Sequence, residues 1–117
     1  MSLDINLVVT KPVSIYSDNI THNLGIMAQA VALDRGMNPE LTLYDVLWRP
    51  DEHGFSRALD IIDYLDQAVD IMERDCDRLS ALNPENGWGD YDGLVRFVRD
   101  YLVACEVNPQ AVIEVCR

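Results

Sequence analysis

The side chains best equipped for recognition chemistry sit in three short stretches, Asn19-Ile20-Thr21-His22-Asn23, Leu47-Trp48-Arg49-Pro50-Asp51-Glu52 and Asn86-Gly87-Trp88-Gly89-Asp90-Tyr91. Amides donate and accept hydrogen bonds, imidazole titrates, guanidinium is a fixed cation, and indoles offer broad apolar faces. Asn19, His22, Asn23, Trp48, Arg49, Asn86 and Trp88 could therefore line a pocket for a small polar ligand, which the protein would bind or hydrolyse. Each stretch falls at a predicted helix end or in a loop, where binding groups commonly reside. A structural role accounts for the same residues: Asn and Asp cap helices, Trp48 and Trp88 plug the core, and Arg49 braces a carboxylate. Between Gly87 and Gly89 the backbone has no local preference that would aim Trp88, so burial in an ordered loop is expected to hold it.

Covalent and metal chemistry find less support. His22 and His53 are the only histidines, and neither has a second histidine at ligand spacing. Cys76, Cys105 and Cys116 are far apart and form no C-x-x-C pair, which argues against both a zinc knuckle and a disulfide framework. There is no G-x-S-x-G elbow and no phosphate-binding glycine run. A Cys–His pair is a spatial matter and stays open, but Cys105 and Cys76 lie on apolar helical stripes and are expected to be buried small hydrophobes. No catalytic residue, metal or cofactor is assigned, and the chain is read as a binding protein before an enzyme.

Charge is the other unusual feature. The net charge is −11, from 20 acids against 9 bases, and Lys11 is the only lysine. Asp60, Asp63, Asp66, Asp70, Glu73 and Asp77 recur three or four residues apart. At roughly 100° per residue they share one helix face, away from the apolar stripe. Neighbouring like charges at these spacings each cost about 0.2–0.5 kcal/mol, so the row opposes its own helix. It is either a solvated face or a contact surface for a basic protein partner. A carboxylate metal cage would need ligands that wrap the ion, which one helix face rarely supplies. The overall acidity disfavours direct contact with nucleic acid or anionic lipid. Homo-oligomerisation stays open.

These residues must be positioned by a small set of elements. Leu3–Val9 alternates apolar and polar, as a strand with one buried face does. Thr10-Lys11-Pro12 breaks it, and Val13–Tyr16 returns as a short second strand. Asn19 or Thr21 caps a helix carrying Leu24, Met27, Ala28 and Val31 and ending at Gly36. Thr42 with Asp45 forms a capping box for a short helix that Arg49-Pro50 closes. The longest helix is predicted from Ser56 to Leu82, with Ala58, Ile61, Ile62, Leu65, Val69, Met72, Cys76 and Leu79 inward. Asp90 caps a last helix with Leu94, Phe97, Val98, Tyr101, Leu102 and Cys105 inward, and Ala111–Val115 closes the chain as a strand.

The fold class is therefore α+β. A single domain spans 1–117, its small sheet uniting the N-terminal strands with the C-terminal one and packed by about four helices. Apolar residues make up 49 % of the chain, ordinary for a globular domain. No apolar run reaches the roughly 18 residues of a membrane helix, and no signal pattern opens the chain, so a cytoplasmic location is expected.

The three stretches also resemble a family of short bacterial and prophage proteins with no established activity. The resemblance rests on Asn19-Ile20-Thr21-His22-Asn23-Leu24 with Met27-Ala28, on Leu47-Trp48-Arg49-Pro50 with Glu52, and on Asn83-Pro84 with Asn86-Gly87-Trp88-Gly89 and Tyr91. Tyr101-Leu102, Ala104-Cys105 and the ending around Ala111, Ile113 and Arg117 extend it over most of the chain. Asp34–Thr42 looks like an insertion relative to that family. The resemblance carries over no catalytic residue. It implies a role in the contest between phage and host, such as inhibition of a basic host or defence factor.

Overall fold

Leu3, Ile5 and Leu7 are fully buried, while Asp4 and Asn6 between them are half-buried, and this alternation makes Ser2–Val8 a strand, β1. The computed structural model describes residues 2–8, 14–33 and 41–117. β1 pairs antiparallel with β2 (Ser14–Thr21), from Ser2 opposite Thr21 to Val8 opposite Ser14. On its other side β3 (Val112–Cys116) runs antiparallel, from Asp4 opposite Cys116 to Val8 opposite Val112. The sheet order is β2-β1-β3, so the N- and C-terminal strands are neighbours, as their alternation predicts.

Five α-helices complete the α+β fold: α1 (Gly25–Gln29), α2 (Leu43–Trp48), α3 (Ile62–Arg74), α4 (Cys76–Ser80) and α5 (Tyr91–Val107). Single 3₁₀ turns occupy His22–Leu24, Pro50–His53 and Ala58–Asp60. Leu65, Ala68 and Met72 of α3, Leu94, Val98 and Tyr101 of α5 and the apolar face of β1 join one buried cluster. Two helix starts follow their local signals. The Asp45 carboxylate accepts from the Thr42 backbone N–H at 2.9 Å, closing the capping box, and Asp90 Oδ1 accepts from the Gly93 N–H at 2.7 Å.

Four expectations about the fold need correction. The second strand runs to Thr21 instead of stopping at Tyr16, so Asn19 belongs to β2 and Thr21 is the residue that caps the following turn. Ser17-Asp18-Asn19 look like turn formers, but residue-by-residue pairing with β1 overrides that preference. Asp18 is kept in the strand by accepting from the Tyr16 hydroxyl at 3.3 Å and the Asn19 N–H at 2.8 Å.

The predicted Ser56–Leu82 helix is divided. Asp60 takes the N–H groups of Ser56 and Arg57 at 3.0 and 2.9 Å, which fixes the 3₁₀ turn ahead of α3, and these two bonds hold its carboxyl below the usual range. At the other end Asp75 separates α3 from α4, and Arg78 holds its carboxylate at 2.8 Å.

Cys76, expected inside, opens α4 and is exposed, because the break at Asp75 changes the phase of the stripe while Met72 and Leu79 stay buried. Cys105 is buried as its stripe predicts, and burial, followed by the charge of Glu106, pushes its thiol up to about 12. The raised value means that the fold favours the neutral thiol. That contribution is complete below the unfolded value of about 8.5 and is lost as pH climbs towards the folded one. At neutral pH a thiol reagent should therefore modify Cys76 and Cys116 in the native protein and reach Cys105 only after unfolding. Rapid labelling of all three thiols without denaturant would contradict this. The first helix, expected to carry Val31 and run to Gly36, stops at Gln29: Ala32 bridges Thr42, with Leu33 N–H donating to the Leu41 carbonyl and Leu43 N–H to the Val31 carbonyl, each at 2.9 Å, so this stretch pairs as extended chain instead. The Thr10-Lys11-Pro12 break and most of the Asp34–Thr42 insertion lie outside the described residues.

Candidate functional site

The first and third stretches meet at one corner, around the end of β2 and the turn that follows it. Thr21 Oγ1 accepts from the Asn23 backbone N–H at 3.3 Å and from its side-chain amide at 3.0 Å, which locks the turn. The loop 83–90 is tied at several points. Asn83 Oδ1 accepts from the Tyr91 N–H at 2.8 Å, and Asn86 Oδ1 accepts from the Trp88 N–H at 2.9 Å. Gly87 and Gly89 take left-handed angles, φ 75° and 95°, that other residues adopt only at a cost. Gly89 then lies directly against the turn: a Cβ there would sit 2.8 Å from Thr21 Cγ2 and 2.9 Å from Leu24 Cγ. Across the same contact the Asn86 amide donates to Asn23 Oδ1 at 3.4 Å.

This docking makes Gly89 sensitive to the smallest change. Gly89→Ala adds about 1–2 kcal/mol of backbone strain and about 1–3 kcal/mol of overlap. Denaturant melting should show both together, as a loss well beyond that of an ordinary surface substitution. An unchanged midpoint would mean that the loop is not seated on the turn.

The surface formed by the contact is concave. Ser2, Asn19, Thr21, Asn23, Asn86 and Trp88 line a hollow of about 510 Å³. A smaller hollow of about 200 Å³ adjoins it, sharing Asn19 and Thr21 and adding Asp18 and Arg96. Four of the candidate ligand-binding residues, Asn19, Asn23, Asn86 and Trp88, are thus brought together.

Trp88 corrects the expectation of burial, since it is 68 % exposed. The gap above Leu24 is filled by the Gly89 backbone rather than by the indole, so the core has no room left for it. Its main chain is nevertheless fixed from both sides, by Asn86 and by the docked Gly89.

Trp48, His22 and Arg49 form a separate group. Trp48 is 2 % exposed, stacked on Tyr44 with ring centroids 5.2 Å apart and met edge-on by His22 at 6.0 Å. It fills the core, as the structural role predicts. Arg49 braces Glu52 at 2.9 Å, and the Tyr44 hydroxyl, then Glu52, keep the guanidinium charged and raise its pKa. None of these three lines the 510 Å³ hollow.

Sequence reasoning missed the partner of that group. Arg117 grips Asp51 through both guanidinium nitrogens, at 2.8 and 3.1 Å, and donates to the Trp48 carbonyl at 3.3 Å. Its hold keeps the Asp51 carboxyl below the usual range. Their separation of 66 positions leaves no local signal of the pair.

The acidic row is also divided. Asp60 is spent on its two backbone bonds, Glu73 pairs with Arg99 of α5, and Asp77 lies beyond the break on α4. Asp63, Asp66 and Asp70 remain together on the outer face of α3, exposed, and among the described residues no ion pair involves them.

No family model, curated protein or solved structure matches this chain. Among the described residues, no three His, Cys, Asp or Glu side chains are grouped so as to hold a metal ion, and no helix is long and apolar enough to cross a membrane.

Proposed function

We propose that this protein works by binding, and that its contact site is the hollow beside Trp88. The observation that carries this is an indole 68 % exposed whose backbone is nonetheless pinned by Asn86 at 2.9 Å. Exposing an indole to water forgoes burial worth about 1.5–3 kcal/mol for a large apolar side chain. An exposed aromatic on a fixed main chain with polar groups around it is a common form of binding anchor, because little backbone freedom is lost on contact.

A basic protein partner on α3 is a second role, favoured by the unpaired Asp63, Asp66 and Asp70. The resemblance to prophage proteins motivates its narrower form, in which that partner is a host or defence factor. One capture experiment separates the two roles. Wild type, Trp88→Ala and the triple variant Asp63→Asn, Asp66→Asn, Asp70→Asn are immobilised and exposed to cell lysate at low and high salt. Material lost only with Trp88→Ala, and indifferent to salt, supports the hollow. Material lost with the triple variant and with rising salt supports the acidic face. If neither substitution changes what is retained, both roles fall.

A further inference from the structure

We infer that the hollow beside Trp88 takes an uncharged polyhydroxylated ligand, a neutral saccharide of two or more rings. This rests on the binding role proposed for Trp88 and names the ligand class. The lining of the larger hollow is the first ground. Asn19, Asn23 and Asn86 bring amides, Ser2 and Thr21 bring hydroxyls, and among the described residues no charged side chain lines it. Amides and hydroxyls donate and accept at once, which matches vicinal sugar hydroxyls that also do both. Phosphate or carboxylate recognition would call for arginine or lysine, and among the described residues none lines this hollow. A net charge of −11 further opposes an anionic ligand and leaves a neutral one unaffected.

The second ground is the indole. A sugar ring has a face of C–H groups as well as a rim of hydroxyls. An exposed indole lying next to hydrogen-bonding groups can cover that face while the amides meet the rim. A small anion would leave the indole unused.

The third ground is extent. At about 510 Å³ the larger hollow falls in the range of small-molecule sites, roughly 300–1,000 Å³. The adjoining hollow continues from Asn19 and Thr21 towards Asp18 and Arg96, and among the described residues Arg96 makes no ion pair. A carboxylate acceptor and a guanidinium donor lining one hollow can each serve a sugar hydroxyl. Two hollows with Asn19 and Thr21 common to both suit two linked rings. The site is also preformed, since the Asn86–Trp88, Asn83–Tyr91 and Asn23–Asn86 bonds hold the loop before any ligand arrives.

The test is a glycan array of neutral and acidic saccharides, followed by calorimetric titration of the full chain with any neutral disaccharide or trisaccharide that scores. An arginine-rich peptide and inorganic phosphate are titrated alongside. The expected result is saturable binding of a neutral saccharide, unchanged between low and high salt. Trp88→Ala and Asn86→Ala should each weaken it about tenfold, the ratio that about 1.4 kcal/mol of lost contact produces. Arg96→Ala should weaken a trisaccharide more than a monosaccharide. Absence of any neutral saccharide from the array overturns the inference. If the peptide instead binds and Trp88→Ala abolishes it, the ligand class is wrong and the Trp88 site stands. If nothing bound in the array, the titrations or the lysate capture depends on Trp88, the site falls as well.

Discussion

Trp48→Ala should lower the unfolding free energy by about 3–5 kcal/mol, the usual cost of emptying a large aromatic from a core. Trp88→Ala should change it by no more than about 0.5 kcal/mol, the range of ordinary surface substitutions. The two tryptophans differ only in surroundings. Trp48 is 2 % exposed, stacked on Tyr44, edged by His22, and bonded through its carbonyl to Arg117. Removing its indole opens a cavity beneath α2 and also frees Tyr44, which helps hold Arg49. Trp88, 68 % exposed, leaves no cavity, and the loop stays tied through Asn86, Asn83 and Gly89, which the substitution does not touch. Denaturant melts of both variants on a common scale would decide the matter. A large destabilisation by Trp88→Ala would return Trp88 to the core and remove the ground for a binding site there.

Deleting Val112–Arg117 should unfold the protein outright. β3 supplies one side of a three-stranded sheet, and without it β1 loses its ladder along one whole edge and the sheet shrinks to two strands, too few to stand without help. The loss reaches beyond the ladder. The Ile113 N–H donates to the Ser56 carbonyl at 2.9 Å, which anchors the chain entering α3. Ile113 and Val115, packed on the buried cluster, would go as well, together with the Arg117 grip on Asp51. The grip alone explains little, because exposed ion pairs contribute about 0–1 kcal/mol. Arg117→Ala should therefore fold normally, and circular dichroism of the two variants distinguishes strand from clamp. A truncated chain with native helicity and an unchanged melt would show that β3 is dispensable.

What could be read from the residues is what neighbours in sequence determine. The alternation of Leu3, Ile5 and Leu7, the Thr42–Asp45 box and the Asp90 cap each involve groups within a few residues of one another. Such signals survive in any context, and they sufficed for the α+β class and the adjacency of β1 and β3. Asn19, Asn23, Asn86 and Trp88 could likewise be named as candidates, because their types and loop positions are local properties.

The tertiary structure alone decided the rest. It extended β2 through turn-forming residues because β1 offered them partners. It divided the long helix where Asp60 and Asp75 found backbone and arginine partners, and so turned Cys76 outward. It separated Trp48 from Trp88, residues of one type in comparable settings, by seating the Gly89 backbone rather than an indole against Leu24. Which of two groups fills a gap depends on the shape of everything around it. The bonds that settle this place join residues as far apart as Asn23 and Asn86, a distance no periodicity in the chain records.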